Sequence, residues 1–326
     1  MNKSIKILIN YFLGPVLFLV LSYSLYRQLV QQTDLEQRWQ QIKYSWQSWK
    51  FLVVIFLLLL NWGIEARKWQ LLVLHVQPFS FLQAFKSVLA GCSITMLTPN
   101  RIGEYGGRIL FLKEENRIKA ISLNIASSIS QLLVTMVMGC AGLIFLRYFS
   151  HNNSNALSVL PDFWGNVLIY FSITGTLILF LFYIRLAWLV RLMEKIPAFT
   201  KAIKHVTVLD EFSASQLLTI LLLSLMRYLV FVLQYILLLQ VMEVNIEVGL
   251  SFWLISVFYL VMAVAPTIGF LELPVRAKAS MELMKLYSTN TLGIETAALA
   301  IWIINLVIPA LIGSILILGI KIVKEK

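Results

Sequence analysis

Between two strongly apolar runs, the chain carries the stretch Thr98-Pro99-Asn100-Arg101-Ile102-Gly103-Glu104-Tyr105-Gly106-Gly107-Arg108. It combines a helix-breaking proline with three glycines, two arginines and one carboxylate. Ionisable groups at membrane depth are costly and usually mark functional cavities. Broken backbone is tolerated there only where it is buried in protein or lines water. The first question is therefore whether this stretch lies inside a membrane or joins two helices outside it.

The composition is that of a polytopic membrane protein. Of the 326 residues, 59% are hydrophobic and only 13% are charged, and the mean hydropathy is +0.82. We interpret the net charge of +11 as cytoplasmic Lys and Arg facing anionic lipid, not as a nucleic-acid site. The two cysteines and three scattered histidines form no metal-binding spacing, so we expect neither a metal nor another cofactor.

Runs of about 20 apolar residues predict six full membrane spans. They lie at roughly 7–26, 50–74, 118–147, 163–184, 212–241 and 292–320. The first is expected to be a retained span, because no cleavage site of the A-x-A type follows it. Two further apolar stretches, 81–113 and 249–287, are short and interrupted.

Charge bias predicts how the interrupted stretches lie. If 81–113 is a re-entrant hairpin, one face carries 15 Lys and Arg residues, Lys68 among them, and the opposite loops carry five. Basic loops face the cytoplasm, so both termini are predicted to be cytoplasmic. The same reading makes 249–287 a hairpin that enters from the other face.

The predicted fold is therefore all-α, with about six spans and two oppositely oriented hairpins in one integral domain, 1–326. Its halves, about 1–147 and 163–320, would form an inverted repeat, a common transporter plan. The first break is echoed in the second: Pro99, Gly103, Glu104 and Arg108 correspond to Pro266, Gly269, Glu272 and Arg276. Arg67 in the second span is likewise matched by Arg227 in the fifth.

The first hairpin suits an anion. Pro99 would end its first helix, and Gly103, Gly106 and Gly107 would let the backbone turn or pack closely. A helix start exposes free N–H groups and a positive dipole end. Arg101 and Arg108 would add fixed positive charge and bind phosphate. Glu104 would be a counter-charge, or alternatively would form a purely structural ion pair.

Arg227 lies near the middle of a long span and must find a partner. Glu65, Glu104 and Glu272 are all candidates, and the sequence does not choose among them. Glu65 and Arg67 are expected at the headgroup level.

Other polar positions have simpler interpretations. Glu272 and Arg276 are four residues apart, which fits one helical face. Arg276 is a candidate headgroup ligand, and the pair could equally be structural. Gln234 and Asn305 are expected to make helix–helix hydrogen bonds. Nucleotide, metalloprotease and hydrolase motifs are missing from the sequence, so we expect no catalytic residues and no enzyme.

The motif at 98–108 resembles the central motif of the lysylphosphatidylglycerol synthase transmembrane-region family, a flippase-like domain. The ending Glu65-Ala-Arg67-Lys-Trp69, the span with Arg227 and the break at Pro266–Arg276 are also similar to it. The second break differs, because the family more often has a glycine-rich turn followed by an Arg-Glu pair. The resemblance implies a stand-alone member without the soluble synthase domain, located in the bacterial inner membrane.

The expected function is to translocate or position an anionic phospholipid between leaflets. Arg101, Arg108, Arg227 and Arg276 would contact the headgroup, and Glu65, Glu104 and Glu272 would supply counter-charge or gating. One alternative is an intramembrane enzyme acting on a lipid phosphate, with Glu104 as acid/base. Another is a non-transporting partner of a separate lipid-modifying transferase.

Overall fold

A computed structural model of the chain describes residues 48–96, 98, 102–149, 162–184, 212–264 and 272–318, together with the single positions 19, 23 and 36. Nearly all of the predicted first span at 7–26 and of the following loop lies outside these residues, as do Pro99, Arg101, Pro266 and Gly269. Every regular element within the described ranges is helical.

The helices follow the predicted order closely. They are α1 (Trp49–Val73), α2 (Phe81–Thr95), α3 (Gly103–Ile109), α4 (Arg117–Tyr148), α5 (Asp162–Ile184), α6 (Ala214–Val241), α7 (Val248–Val264), α8 (Glu272–Met284), α9 (Thr291–Trp302) and α10 (Ile308–Leu318). A short 3₁₀ turn, Glu114–Asn116, precedes α4, and a π-helical turn, Ile303–Val307, joins α9 to α10.

Five segments of the described chain are long and apolar enough to cross a membrane. They are Trp49–Val73, Glu114–Tyr148, Phe163–Ile184, Ala214–Val241 and Thr291–Ile317. The protein is therefore a multi-pass helical membrane protein, and five of the predicted spans are confirmed to within a few residues. Many large apolar side chains remain exposed, especially on α5, where Phe171 is an example. Such a surface suits contact with lipid.

Local signals in the sequence set where the helices begin. Ser80 and Gln83 form a capping box at the start of α2, and Ser213 and Gln216 form a second one at the start of α6. Each satisfies backbone N–H groups that have no partner within the helix. At the start of α9, the side chain of Asn290 accepts a hydrogen bond of 2.8 Å from the N–H of Gly293.

Helices α2 and α3 form an antiparallel hairpin. A Cβ atom built on Gly107 would lie 2.5 Å from the carbonyl oxygen of Ala90, and one on Gly103 would collide with the carbonyl of Ile94. Gly103 faces Ile94 and Gly107 faces Ala90, so the two helices run in opposite directions. These two glycines permit backbone contact between the helices, whereas Gly106 would meet nothing within 4 Å.

The first helix of each interrupted region packs on the last span of the other half. Helix α2 contacts α10, where the hydroxyl of Ser93 donates to the carbonyl of Ala310 at 2.5 Å. Helix α7 contacts α4, where a Cβ on Gly139 would lie 2.5 Å from the Cβ of Leu260. Helices α1 and α6 also pack together. As expected, Gln234 links them: its side-chain nitrogen donates to the carbonyl of Val54 at 3.0 Å.

Candidate functional site

The C-terminal half of α1 carries a polar face towards the protein interior. Asn61, Glu65 and Lys68 follow one another at intervals of four and three residues, so they share one side of the helix. All three are buried, with Glu65 only 2% exposed and Lys68 only 1% exposed. A carboxylate removed from water in this way requires charged or hydrogen-bonding partners.

Glu65 finds three cationic partners on three helices. Its Oε2 lies 2.9 Å from the Nζ of Lys68 and 3.1 Å from an Nη atom of Arg227 on α6. Its Oε1 lies 2.6 Å from an Nη atom of Arg108 on α3. We call these four residues, together with Glu104, the charged cluster: Glu65, Lys68, Glu104, Arg108 and Arg227. The cluster links α1, the first hairpin and α6. Among the three carboxylates that the sequence offered Arg227, the structure selects Glu65.

Arg227 is fixed from several sides. Its Nε donates to the Oδ1 of Asn61 at 2.9 Å, and the amide of Asn61 donates to the Oδ1 of Asn305 at 2.8 Å. The guanidinium also stacks over the rings of Trp62 and Phe231, with its carbon 5.1 and 5.2 Å from the ring centroids. Asn305 lies in the π-helical turn, a local geometry that is frequent at functional sites. Its predicted helix–helix hydrogen bond is confirmed.

Arg108 is the one residue of the charged cluster that does not line the cavity described below. It is 1% exposed, stacks over Trp69 at 5.2 Å, and forms an ion pair with Glu104 one turn earlier in α3. Its backbone carbonyl accepts a 2.8 Å hydrogen bond from the hydroxyl of Ser87, which in turn accepts one of 3.0 Å from the indole of Trp69. The Glu104–Arg108 ion pair is therefore formed, as the structural alternative predicted. Arg108 contacts the carboxylates of both Glu65 and Glu104 and holds them in place.

The second interrupted region carries a simpler pair. The Nε of Arg276 donates to Glu272 at 2.8 Å within α8, as the four-residue spacing predicted. The guanidinium carbon lies 5.9 Å from the ring centroid of Phe258 on α7. Both partners of this ion pair lie on one helix.

A cavity of about 500 Å³ lies between the two interrupted regions. Its charged lining consists of Glu65, Lys68, Glu104, Arg227, Glu272 and Arg276. Aromatic side chains, including Trp62, Phe231 and Trp302, supply much of the remaining wall. A cavity of this size with convergent polar groups is typical of a ligand site.

The charged cluster has an excess of positive charge. Three cations, Lys68, Arg108 and Arg227, face two carboxylates, Glu65 and Glu104, so its formal net charge is +1. The Glu272–Arg276 pair adds no net charge. The charged side chains that line the cavity balance one another, so the surplus comes from Arg108, which lies outside the lining. A buried excess charge is costly unless an anion balances it, and an anionic group in the cavity would do so.

The placement of Glu65 at the headgroup level stays a prediction, and the structure adds that its side chain is buried among three cations. A second expectation was wrong. Lys68 was counted with the cytoplasmic loop residues, but it is buried in the same cluster, where its Nζ also donates to the hydroxyl of Ser224 at 3.3 Å. The burial of both residues was missed for one reason: charged residues near a helix end were read as facing outwards, and the interior face formed with Asn61 was not considered.

The proposed match between Arg67 and Arg227 is not reflected in their surroundings. Arg67 is exposed and donates to Gln70 at 2.7 Å, whereas Arg227 is buried in the charged cluster. Among the described residues, no group of three or more His, Cys, Asp and Glu side chains could hold a metal ion.

The chain is similar to one known family over most of its length. The model of the family described as lysylphosphatidylglycerol synthase TM region matches residues 7–271. No curated protein and no solved structure matches the chain. The matched range includes all five residues of the charged cluster and ends one residue before Glu272.

Proposed function

This chain belongs to the lysylphosphatidylglycerol synthase transmembrane-region family, and we propose that it translocates or positions an anionic lipid between the leaflets of the bacterial inner membrane. The observation that carries this proposal is the charged cluster with its net charge of +1, which borders a cavity of about 500 Å³. A phosphate group in that cavity would neutralise the excess charge.

Lys68 and Arg227 are the residues best suited to contact the headgroup. Both line the cavity, and each lies beside Glu65. Lysine and arginine donors form strong, charge-assisted hydrogen bonds to phosphate oxygens. Arg108 and Glu65 would act indirectly, because they hold these cations in place. Arg101 is also proposed as a headgroup ligand, on the resemblance of the motif alone.

We propose that the two interrupted regions are re-entrant hairpins of opposite orientation within an inverted repeat. The reciprocal packing of α2 on α10 and of α7 on α4 supports this arrangement, because a two-fold relation between halves exchanges those two contacts. The excess of basic residues on one face supports cytoplasmic termini. In such a plan, substrate sites form where the broken helices of the two halves meet.

Binding is favoured over catalysis at this site. Glu104, the acid/base of the enzymatic alternative, forms an ion pair with Arg108 on the same helix, so its carboxylate already has a structural partner. We therefore propose a carrier or a lipid-positioning protein and no enzymatic activity. A separately encoded lipid-modifying transferase remains a proposed partner, and copurification with such an enzyme would support it.

Leaflet exchange of labelled anionic lipids in vesicles containing the purified protein tests the proposal. We expect exchange faster than in protein-free vesicles for at least one anionic phospholipid, and a reduced rate for Arg227→Gln. Arg67→Gln is the matched control, because Arg67 is exposed on α1. Exchange no faster than in empty vesicles, for every member of a broad lipid panel, would reject transport.

A further inference from the structure

Helices α4 and α7 meet at a tight, glycine-lined seam. A Cβ on Gly139 would lie 2.5 Å from the Cβ of Leu260, and one on Gly142 would lie 3.0 Å from the carbonyl oxygen of Trp253. The neighbour's number falls as the α4 number rises, so the helices run antiparallel. Small residues let membrane helices approach closely. The contact at this seam leaves no room for a lipid acyl chain to pass between the two helices.

The seam ends at the wall of the cavity. One turn before Gly139, α4 presents Thr135, and one turn after Leu260, α7 presents Val264. Both residues line the cavity, as does Leu132. Val264 is 69% exposed and Leu132 is 37% exposed. The cavity wall is therefore exposed at Leu132 and Val264, beyond the cavity end of the seam.

The rim of the cavity combines two kinds of surface. Ser128, Gln131 and Thr135 on α4 line the charged cavity with polar groups, whereas Leu132 and Val264 offer apolar surface to the outside. In a membrane-spanning bundle, an exposed apolar rim faces acyl chains. A small soluble anion would use only the polar part, but an amphiphile would use both.

We propose that the cavity wall formed by residues 128–135 of α4 and residues 262–264 of α7 is a lateral portal through which acyl chains reach the bilayer. The lipid's phosphate lies beside Lys68 and Arg227, while its chains cross Leu132 and Val264. This inference rests on the proposed function, because it needs a lipid headgroup in the cavity. It adds where the rest of that lipid lies, and it makes the ligand a membrane lipid and not a free phosphate.

Photolabelling of the wild-type protein tests the portal. The vesicles contain phosphatidylcholine and a trace of phosphatidylglycerol with a diazirine in its acyl chain. Replacing part of the phosphatidylcholine by unlabelled phosphatidylglycerol keeps the bulk probe concentration constant but competes for a specific site. When the competitor exceeds the site's dissociation constant about tenfold, mass action lowers occupancy by the probe about tenfold. We therefore expect the competitor to lower labelling at Leu132 and Val264 about tenfold, measured by peptide mass spectrometry.

Leu177 on α5 is the internal control, because it is exposed and lies on a helix outside the cavity lining. Its labelling should not change with the competitor. In the Arg227→Gln variant, labelling at the portal should likewise not change with the competitor. If that variant fails to fold, the competition experiment on the wild-type protein still tests the portal. Labelling at Leu132 and Val264 that behaves like labelling at Leu177 would overturn the portal.

The two proposals fail in distinguishable ways. Competed labelling at the portal without leaflet exchange would leave a lipid-binding protein that does not transport. Leaflet exchange without competed labelling would leave a transporter whose lipid takes another path. Competition by inorganic phosphate as strong as that by phosphatidylglycerol would contradict the lipid as ligand.

Discussion

The two interrupted regions contain the same residue types but use them differently. In the first, Arg108 of α3 reaches Glu65 on α1, and that carboxylate also holds Lys68 and Arg227. In the second, Arg276 pairs with Glu272 inside α8. The first region therefore forms a cluster across helices with surplus positive charge, and the second forms a neutral local pair. The ion pair between Arg276 and Glu272 joins two residues of one helix, whereas the ion pairs of the cluster join three helices.

This contrast assigns different roles to the two sides of the cavity. The surplus charge on the first side attracts an anion, and the neutral pair on the second side lines the cavity without adding to that attraction. Changes to the first side should therefore cost more stability and more activity than matched changes to the second.

Glu65→Gln should have the largest effect on stability. It removes the carboxylate that three buried cations share, and breaking a buried ion pair by removing one partner costs about 3–5 kcal/mol. Thermal unfolding in detergent, followed by tryptophan fluorescence, would measure the change. Glu272→Gln should cost less, and Glu115→Gln, at an exposed site, should cost almost nothing. Equal losses for Glu65→Gln and Glu272→Gln would remove the distinction between the two regions.

Gly107→Ala should loosen the first hairpin. The new Cβ would lie 2.5 Å from backbone atoms of Ala90 and Gly91, and overpacking of this kind costs about 1–3 kcal/mol. Gly106→Ala is the matched control, because its Cβ would meet nothing within 4 Å and alanine favours a helix by about 1 kcal/mol over glycine. Opposite signs are expected in the same unfolding assay. A stabilising effect of Gly107→Ala would contradict the close packing of α2 and α3.

Arg227→Gln should slow lipid exchange more than Arg276→Gln does. Hydrogen bonds to charged groups contribute about 1.5–3 kcal/mol, so the loss of a headgroup contact predicts at least about a tenfold reduction in rate. Arg276→Gln leaves the charged cluster intact and should reduce the rate by less. The rates must be compared at equal amounts of folded protein, judged by size-exclusion chromatography. A larger effect at Arg276 would move the headgroup site to the second region.

Ser87→Ala should have the smallest effect of these four. It removes the hydroxyl that accepts from Trp69 and donates to the carbonyl of Arg108. A typical net loss for such a hydrogen bond is about 1 kcal/mol, again measured by unfolding. Ser215→Ala, at an exposed position on α6, should be neutral. A neutral Ser87→Ala would mean that this link does not help to hold Arg108.

The sequence predicted those features that depend on local pattern. Apolar length located α1, α4, α5 and α6, because a membrane span has a nearly fixed length. The four-residue spacing correctly paired Glu272 with Arg276, since helix geometry alone brings them together.

Features that depend on how helices pack could not be predicted in the same way. Choosing Glu65 as the partner of Arg227 requires the relative rotation of α1 and α6, which are 162 positions apart at these residues. The burial of Lys68 was missed because Lys68 and its neighbour Arg67 were treated as one basic segment. Only Arg67 is exposed. A helical projection of α1 would have separated them, since Asn61, Glu65 and Lys68 share a face that excludes Arg67.

An experimental structure of the protein in a bilayer containing phosphatidylglycerol would show whether the charged cluster holds an anionic lipid headgroup. We expect phosphate density in the cavity, within hydrogen-bonding distance of Lys68 and Arg227. A well-resolved cavity that contains only water, with anionic lipid confined to the outer surface of the bundle, would contradict it.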